Sequence, residues 1–225
     1  MIQNLLKELR EKRGYSQQEL ADKLGISRSS YINVENGKRE LSLAEARTLA
    51  NMYGITLEEV ESGVAADYDK YREMIQYLVK KFPQGVPKTK LAKMLYLADF
   101  GKFYHTHKSM SGMQYRRIQF GPVPDQYFRA LAEMQDEGLI ANNESPHMDG
   151  KVCNVTPTRG IATSREALLS DEEKHLLDEI FDRWNTERTA TIVSFTHNQI
   201  PYHLCDEGEI IPYELIIQED PDNVY

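Results

Sequence analysis

The stretch "SQQELADKLGISRSSYINVENGKR", residues 16–39, contains the start and stop signals of two short helices separated by a tight turn. Ser16 is followed three residues later by Glu19, which is the capping-box spacing that begins a helix. Gly25 stands where the first helix ends, and glycine adopts positive φ without the steric cost that other residues incur. The stretch therefore predicts a helix, a glycine turn and a second helix.

The second helix of this stretch is capped by Ser27 and ended by Asn36-Gly37. Its buried stripe is formed by Tyr31 or Ile32 together with Val34, because these apolar residues recur at helical spacing. The residues that open the helix are instead polar and mostly short: Ser27, Arg28, Ser29 and Ser30. We expect this first turn to face a binding partner rather than the interior of its own domain.

The flanking residues complete a domain of five helices. Apolar residues at helical spacing predict an N-terminal helix that Gly14 ends: Ile2, Leu5, Leu6 and Leu9. Ser42 with Glu45, and Thr56 with Glu59, have the spacing of further capping boxes, which begin a fourth and a fifth helix. Two helices joined by a tight glycine turn within such a bundle form a helix-turn-helix.

Residues at fixed positions along this domain carry a family resemblance: Gln17, Leu20-Ala21, Gly25-Ile26, Ile32, Glu35 and Gly37. In order and spacing they resemble the helix-turn-helix of phage repressors and Cro-like regulators, the XRE family. The resemblance covers residues 2–60 and implies sequence-specific binding to operator DNA by a homodimer. It also implies a structural ion pair between Arg10 of the first helix and Glu35.

The opening of the second helix is then the surface that enters the major groove, where bulky apolar side chains would block the base edges. Arg28 is the candidate for a bidentate contact to guanine. Candidates for hydrogen bonds to base edges or phosphates are Ser27, Ser29, Ser30 and Asn33. The resemblance implies a phosphate contact from Gln17, and the residues after the helix are candidate backbone clamps: Asn36, Lys38 and Arg39. A serine-rich helix start can equally be a cap that touches no DNA, and this alternative stays open.

The charge of the chain is unevenly distributed. The formal net charge is −8, which is unusual for a DNA-binding protein. Residues 1–47 nevertheless carry nine Lys and Arg against seven Asp and Glu, a net of +2, whereas residues 63–225 carry eighteen against twenty-five, a net of −7. The basic excess therefore lies with the helix-turn-helix.

The cysteines and the hydropathy pattern indicate the compartment. Cys153 and Cys205 have neither metal-binding nor redox spacing. No apolar run reaches the length of a membrane span, and charges interrupt the apolar pattern of the first residues. We therefore expect a cytoplasmic protein with reduced thiols and no membrane partner.

A small, polar segment at residues 61–67 separates a first domain, residues 1–63, from a second domain, residues 64–225. Helical periodicity in the second domain predicts a helix over 67–82 and an unusually apolar central helix over 89–107. Further helices are predicted to end near Glu137, to begin at the Ser170–Glu173 capping box, and to span 189–197.

Three further segments give the second domain an α+β character. Residues 112–120, "GMQYRRIQF", alternate as a strand does, and residues 138–157 predict two short strands around a hairpin. A hairpin directly after a helix is a winged arrangement, and we expect a structural wing because the hairpin carries little positive charge. The predicted fold is mainly α: a five-helix helix-turn-helix domain followed by a predominantly helical α+β domain with a short winged hairpin.

Short motifs in the second domain carry another resemblance: "KLAKMLYLADF" at 90–100, "QFGPVP" at 119–124, "EGLI" at 137–140, "VTPT" at 155–158, "LSDEE" at 169–173 and "THNQIPY" at 196–202. Together they resemble the Panacea, or SocA-like, antitoxin domain. The resemblance implies a type II antitoxin that binds and neutralises a cognate toxin protein, while its helix-turn-helix represses the shared operon. The alternative is a regulator whose second domain senses another partner or acts as a proteolytic adaptor.

The turn between the predicted strand and the next helix is our candidate for the toxin contact: Gly121, Pro122, Val123 and Pro124. A glycine and two prolines at such a turn are expected to expose a rigid corner. The alternative is a turn that only orients the helix after it.

The sequence gives little support for a metal site or a catalytic nucleophile. Asp99, His105 and His107 lack further ligands at a recognisable spacing, so we expect no metal site. His203 and Cys205 are neighbours along the chain, which does not make them a nucleophile and its base. We therefore predict a protein without catalytic residues and without a cofactor.

Overall fold

The computed structural model describes residues 2–53, 57, 60, 63, 66–147, 150–158 and 168–225. The chain forms two compact units, residues 1–66 and residues 67–225. Among the described helices, none is both long enough and apolar enough to cross a membrane.

The N-terminal unit is a helical bundle around one main core. Its helices are α1 (Ile2–Lys12), α2 (Gln17–Leu24), α3 (Arg28–Glu35) and α4 (Leu43–Tyr53). The core consists of Leu6, Leu20, Ala21, Tyr31, Val34, Leu49 and Tyr53. The predicted fifth helix, which begins at the Thr56–Glu59 capping box, falls on residues of which only Leu57 and Val60 are described.

The start and stop signals read from the sequence are confirmed in this unit. Ser16 and Glu19 form a reciprocal capping box, and Gly25 adopts a left-handed conformation with φ of 67°. Ser42 and Glu45 cap α4 in the same way, with the Ser42 amide 2.8 Å from a Glu45 carboxylate oxygen. The helix-turn-helix is thus specified by local chemistry at the ends of its helices.

The C-terminal unit combines six helices with two small sheets in its described part. The helices are α5 (Tyr68–Lys80), α6 (Lys88–Thr106), α7 (Tyr127–Asp136), α8 (Asp171–Trp184), α9 (Thr189–Asn198) and α10 (Ile200–Leu204), followed by 3₁₀ turns at Tyr213–Gln218 and Pro221–Asn223. The strands are β1 (Val86–Pro87), β2 (Tyr115–Arg116), β3 (Val123–Pro124), β4 (Ile140–His147) and β5 (Gly150–Pro157). The mainly α class with an α+β second half is confirmed.

Both sheets are antiparallel. β4 and β5 form the predicted hairpin, and β1 extends it in the order β1-β5-β4. β2 pairs with β3, so that Tyr115 lies opposite Pro124 and Arg116 opposite Val123. The strand predicted over 112–120 is therefore much shorter than expected: it pairs with the two-residue segment β3 and, on its other side, forms a single antiparallel bridge from Arg116 to Ile210.

Helix α6 is the centre of the C-terminal unit. Every residue from Lys90 to Gly101 is buried, so the helix is enclosed on all sides rather than on one face. Asp99 lies fully buried on it and accepts hydrogen bonds from the Ser111 amide at 2.5 Å and from the Tyr115 hydroxyl at 2.8 Å. Burial raises the pKa of Asp99 to about 6, although these hydrogen bonds oppose the shift. This carboxylate ties α6 to the segment that leads into β2.

Candidate nucleic-acid interface

The first turn of α3 is organised by Ser27. Its hydroxyl accepts a hydrogen bond from the Ser30 amide at 3.1 Å and lies 2.9 Å from the hydroxyls of both Ser29 and Ser30. The cap therefore satisfies an amide that the helix leaves unpaired and holds three hydroxyls together at the helix start. As the N-terminus of a helix attracts anions, this cluster suits a phosphate or an electronegative base edge.

One face of α3 is buried and the other is exposed. Tyr31 and Val34 are buried in the core of the unit. Arg28, Ser29 and Asn33 are exposed. Within the described part of the chain, Arg28 has no hydrogen-bond or ion-pair partner, so its guanidinium is available to a ligand.

Glu35, the last residue of α3, holds the three helices of the motif together. It accepts hydrogen bonds from Arg10 Nε of α1 at 2.7 Å and from Gln17 Nε2 of α2 at 2.9 Å. Burial works against the charged form of Glu35, yet the bonds from Arg10 and Gln17 hold the pKa of its carboxyl below its ordinary value. The Arg10–Glu35 pair predicted from the sequence is present and is largely buried.

The same contact orients Gln17, the candidate phosphate ligand. One hydrogen of its side-chain amide is used by Glu35, and the second hydrogen of that nitrogen is the donor that a phosphate could accept. Nothing in the sequence pattern indicated that Glu35 would position this side chain.

The residues after α3 divide into exposed and engaged side chains. Asn36 and Lys38 are exposed, as a contact to the DNA backbone requires. Arg39 instead donates two hydrogen bonds to Glu45, at 2.7 and 3.1 Å, and so fixes the start of α4. This bidentate pair was not expected from the sequence, and it leaves Arg39 about one third exposed.

The turn that we expected to expose a corner in the C-terminal unit is buried. Gly121, Pro122, Val123 and Pro124 all lie in the interior, and the prediction of an exposed corner is wrong. The cause is a long-range contact: the fully buried Lys93 of α6 donates a hydrogen bond to the Pro122 carbonyl at 3.0 Å. Burial lowers the pKa of Lys93 to about 7.

The described residues considered for metal binding do not come together. The carboxylate of Asp99 is bound by Ser111 and Tyr115, whereas His105 lies on the surface beside the Tyr225 hydroxyl. In the described segments, no three His, Cys, Asp or Glu side chains are placed to hold a metal ion. Cys205 is buried, and burial raises the pKa of its thiol.

A short exposed helix start beside a tight glycine turn, held by a buried ion pair, can enter a DNA groove with its polar residues forward. The N-terminal unit therefore has the architecture of a helix-turn-helix DNA-binding domain.

Comparison with known proteins gives the family. The helix-turn-helix family matches residues 6–60, and the family "Antitoxin SocA-like, Panacea domain" matches residues 91–201. The chain belongs to the helix-turn-helix transcriptional regulators and carries a SocA-like Panacea domain after the DNA-binding unit.

Three relatives illustrate the first match. A Thermococcus kodakarensis protein whose name assigns it to the HTH-type regulators is 40% identical over 98 residues, covering 39% of this chain and 30% of that protein. The prophage-derived regulator YonR of Bacillus subtilis is 39% identical over 69 residues, covering 31% and 64%. The control protein C.MunI of a Mycoplasma species is 40% identical over 62 residues, covering 27% and 84%. The chain thus spans less than two thirds of the first two relatives. No solved structure matches it at a comparable level of significance.

Proposed function

We propose that this protein is the antitoxin of a toxin–antitoxin pair. As a homodimer in the cytoplasm, it represses its own operon through α3, and its C-terminal unit binds and neutralises a cognate toxin protein. The observation that carries the DNA-binding half is the exposed opening of α3, where Arg28 has no partner in the described chain and the serine hydroxyls cluster. The proposal assigns no catalytic step to the chain.

Base reading is expected to depend on Arg28. Because a guanidinium can bond two acceptors of guanine at once, Arg28→Ala is expected to weaken operator binding by about 1–3 kcal/mol and to relax the preference at one base position. Titration of the variant against the operator and against single-base variants of it measures both effects.

Lys38→Ala is the matched control, since Lys38 is exposed after the helix and is a proposed contact to the DNA backbone. It is expected to weaken binding to operator and to random DNA alike, and to reduce the dependence of affinity on salt. Titrations of both variants at two salt concentrations separate the roles. An equal loss on operator and random DNA for Arg28→Ala would show that Arg28 does not read bases.

The neutralising half of the proposal is supported by the Panacea match and by the composition of the C-terminal unit. This match lies within residues 67–225, a compact unit with its own core around α6. Residues 63–225 carry a net charge of −7, which favours encounter with a basic partner.

Co-expression tests this half directly. The reading frame beside this gene is expressed alone and together with the full chain, and growth is followed in both cases. Growth arrest by the neighbour alone, relieved by this protein, is the expected result. A neighbour that leaves growth unchanged would count strongly against an antitoxin function.

A further inference from the structure

Three described apolar side chains of the C-terminal unit are at least 60% exposed: Phe120, Leu204 and Phe128 of α7. Phe120 and Leu204 lie on segments that are bonded to each other. Phe120, in the turn before β3, is 66% exposed, and Leu204, at the end of α10, is 61% exposed. Exposed large apolar residues that lie close together mark interaction surfaces, whereas single ones need no explanation. The relation between these two residues therefore decides what they mean.

The turn and the helix that carry these residues are bonded to each other. The hydroxyl of Tyr202, in α10, donates to the Ile118 carbonyl at 3.0 Å. The same carbonyl accepts from the Gly121 amide at 2.8 Å, which closes the turn around Phe120. The turn that carries Phe120 and the helix that carries Leu204 are thus held together. We call these two exposed side chains the Phe120–Leu204 patch.

The patch rests on a rigid base. Lys93 donates a hydrogen bond to the Pro122 carbonyl. Lys93 and His197 pack so closely against Gly121 that a Cβ there would clash with both. The imidazole of His197 stacks on the ring of Tyr202 with 4.3 Å between centroids, and the guanidinium of Arg117 lies 4.7 Å from the same ring. A preorganised surface loses little conformational entropy on binding, so more of its contact energy is available for affinity.

An acidic loop adjoins the patch. Asp206, Glu207 and Glu209 are exposed directly after α10. Backbone hydrogen bonds tie this loop to the segment before the turn, from the Gly208 amide to the Arg117 carbonyl at 2.7 Å and from the Arg117 amide to the Glu209 carbonyl at 2.8 Å. The loop that carries the carboxylates is therefore fixed to the segment that leads into the turn around Phe120.

We propose that the Phe120–Leu204 patch, with the acidic loop at residues 206–209, is the docking surface for the toxin, and that the toxin presents an apolar anchor within a basic surface. This inference rests on the proposed antitoxin function. The proposed toxin contact therefore lies on the exposed Phe120 and Leu204, and not on the buried residues 121–124. Charge complementarity selects the partner, because the loop and the net charge of −7 over residues 63–225 both favour a basic protein.

The test uses the full chain and, as the probe, the purified product of the adjacent reading frame. Central apolar contacts dominate binding energy, so the double variant Phe120→Ala, Leu204→Ala is expected to raise Kd by about 30-fold or more. Leu168→Ala is the matched control, because Leu168 is an exposed leucine beside Glu73 of α5 rather than in the patch. Operator binding and the melting temperature of the double variant are expected to match those of the wild type.

Three outcomes distinguish the proposed docking surface from the proposed antitoxin function. If the wild type does not bind the probe, the proposed function fails and the inference with it. If the wild type binds and the double variant binds equally well, the patch is not the docking surface while the antitoxin function stands. If the double variant loses self-association instead of probe binding, the patch is an interface between copies of this chain, and the inference is overturned.

A second variant tests the acidic loop. Glu207→Lys is expected to slow association severalfold at low salt, with the difference shrinking as salt rises, since rim charges act mainly on the association rate. An association rate unchanged at low salt would show that the loop does not face a basic partner.

Discussion

Glu35→Ala is expected to lower the free energy of unfolding of the N-terminal unit by about 3–5 kcal/mol. The substitution removes the buried carboxylate that pairs with Arg10 and leaves it, among the described residues, only the exposed carboxylate of Glu11 at 3.4 Å. It also removes the acceptor that orients Gln17. A unit of this size has only a few kcal/mol of net stability, so the helix-turn-helix should be largely unfolded at physiological temperature. Hydrogen exchange of amides in α1 to α4, followed as urea rises, measures the loss in this unit alone.

The double variant Arg10→Met, Glu35→Leu is the control, because it removes both charges and leaves neither unpaired. It is expected to recover much of the stability that Glu35→Ala loses. A cost below about 1 kcal/mol for Glu35→Ala would mean that the pair behaves as an exposed one and does not hold the motif together.

The same residue gives the N-terminal unit a dependence on pH. The pKa of Glu35 is lower in the folded protein than its ordinary value of 4.5, so its contribution is fully present above that value. This contribution is lost as the pH falls through the folded pKa, because the unfolded chain then binds more protons. Below pH 4.5 the wild type is therefore expected to lose stability more steeply than Glu35→Gln.

Gly121→Ala is expected to destabilise the C-terminal unit by about 2–5 kcal/mol, from strain at positive φ and from overpacking. Gly121 has a φ of +91°, and an added Cβ would come within 2.6 Å of Lys93 Cε and 2.9 Å of His197 Nε2. The Lys93 side chain cannot yield easily, because it is fully buried and bound to the Pro122 carbonyl. Fluorescence of Trp184, the only tryptophan of the chain, reports urea unfolding of this unit.

Gly208→Ala is the matched control for this prediction. Gly208 has a φ of +88°, almost the same as Gly121, but nothing lies within 4 Å of its added Cβ. It should incur only the backbone strain, of about 1–2 kcal/mol. Equal losses for the two variants would show that the space around Gly121 is not tightly filled, and that the base of the docking patch is softer than proposed.

The parts of the fold that the sequence predicted are those fixed by residues close along the chain. Ser16 with Glu19, Ser42 with Glu45, and Ser170 with Glu173 each bond within one helical turn, and all three capping boxes are present. The central helix was predicted for a similar reason, since an apolar pattern over five turns is itself a local property.

The parts that the sequence could not predict depend on residues far apart along the chain. The turn at 121–124 has the composition of an exposed corner, and only the contact with Lys93, 29 residues away from Pro122, makes it interior. A lysine in an apolar helix gives no sign of whether its amine reaches solvent or a buried carbonyl. Phe120 likewise carries no signal of exposure, because an aromatic residue before a Gly-Pro turn is as compatible with burial.

The candidate DNA-binding surface was predicted more fully than the partner surface. The positions of Arg28, Ser29 and Asn33 on an exposed helix face follow from spacing alone, since Tyr31 and Val34 fix the buried face. The engagement of Arg39 with Glu45 did not follow, because either an ion pair or a phosphate contact satisfies a guanidinium.

We propose a division of labour in which the C-terminal unit neutralises the toxin without the DNA-binding unit. Its most direct test is a pull-down and growth rescue with residues 67–225 against the product of the adjacent reading frame. We predict that this fragment binds the toxin and restores growth as the full chain does, while it no longer binds operator DNA. If the folded fragment neither binds nor rescues while the full chain does both, neutralisation requires the N-terminal unit or the dimer, and the division of labour is wrong.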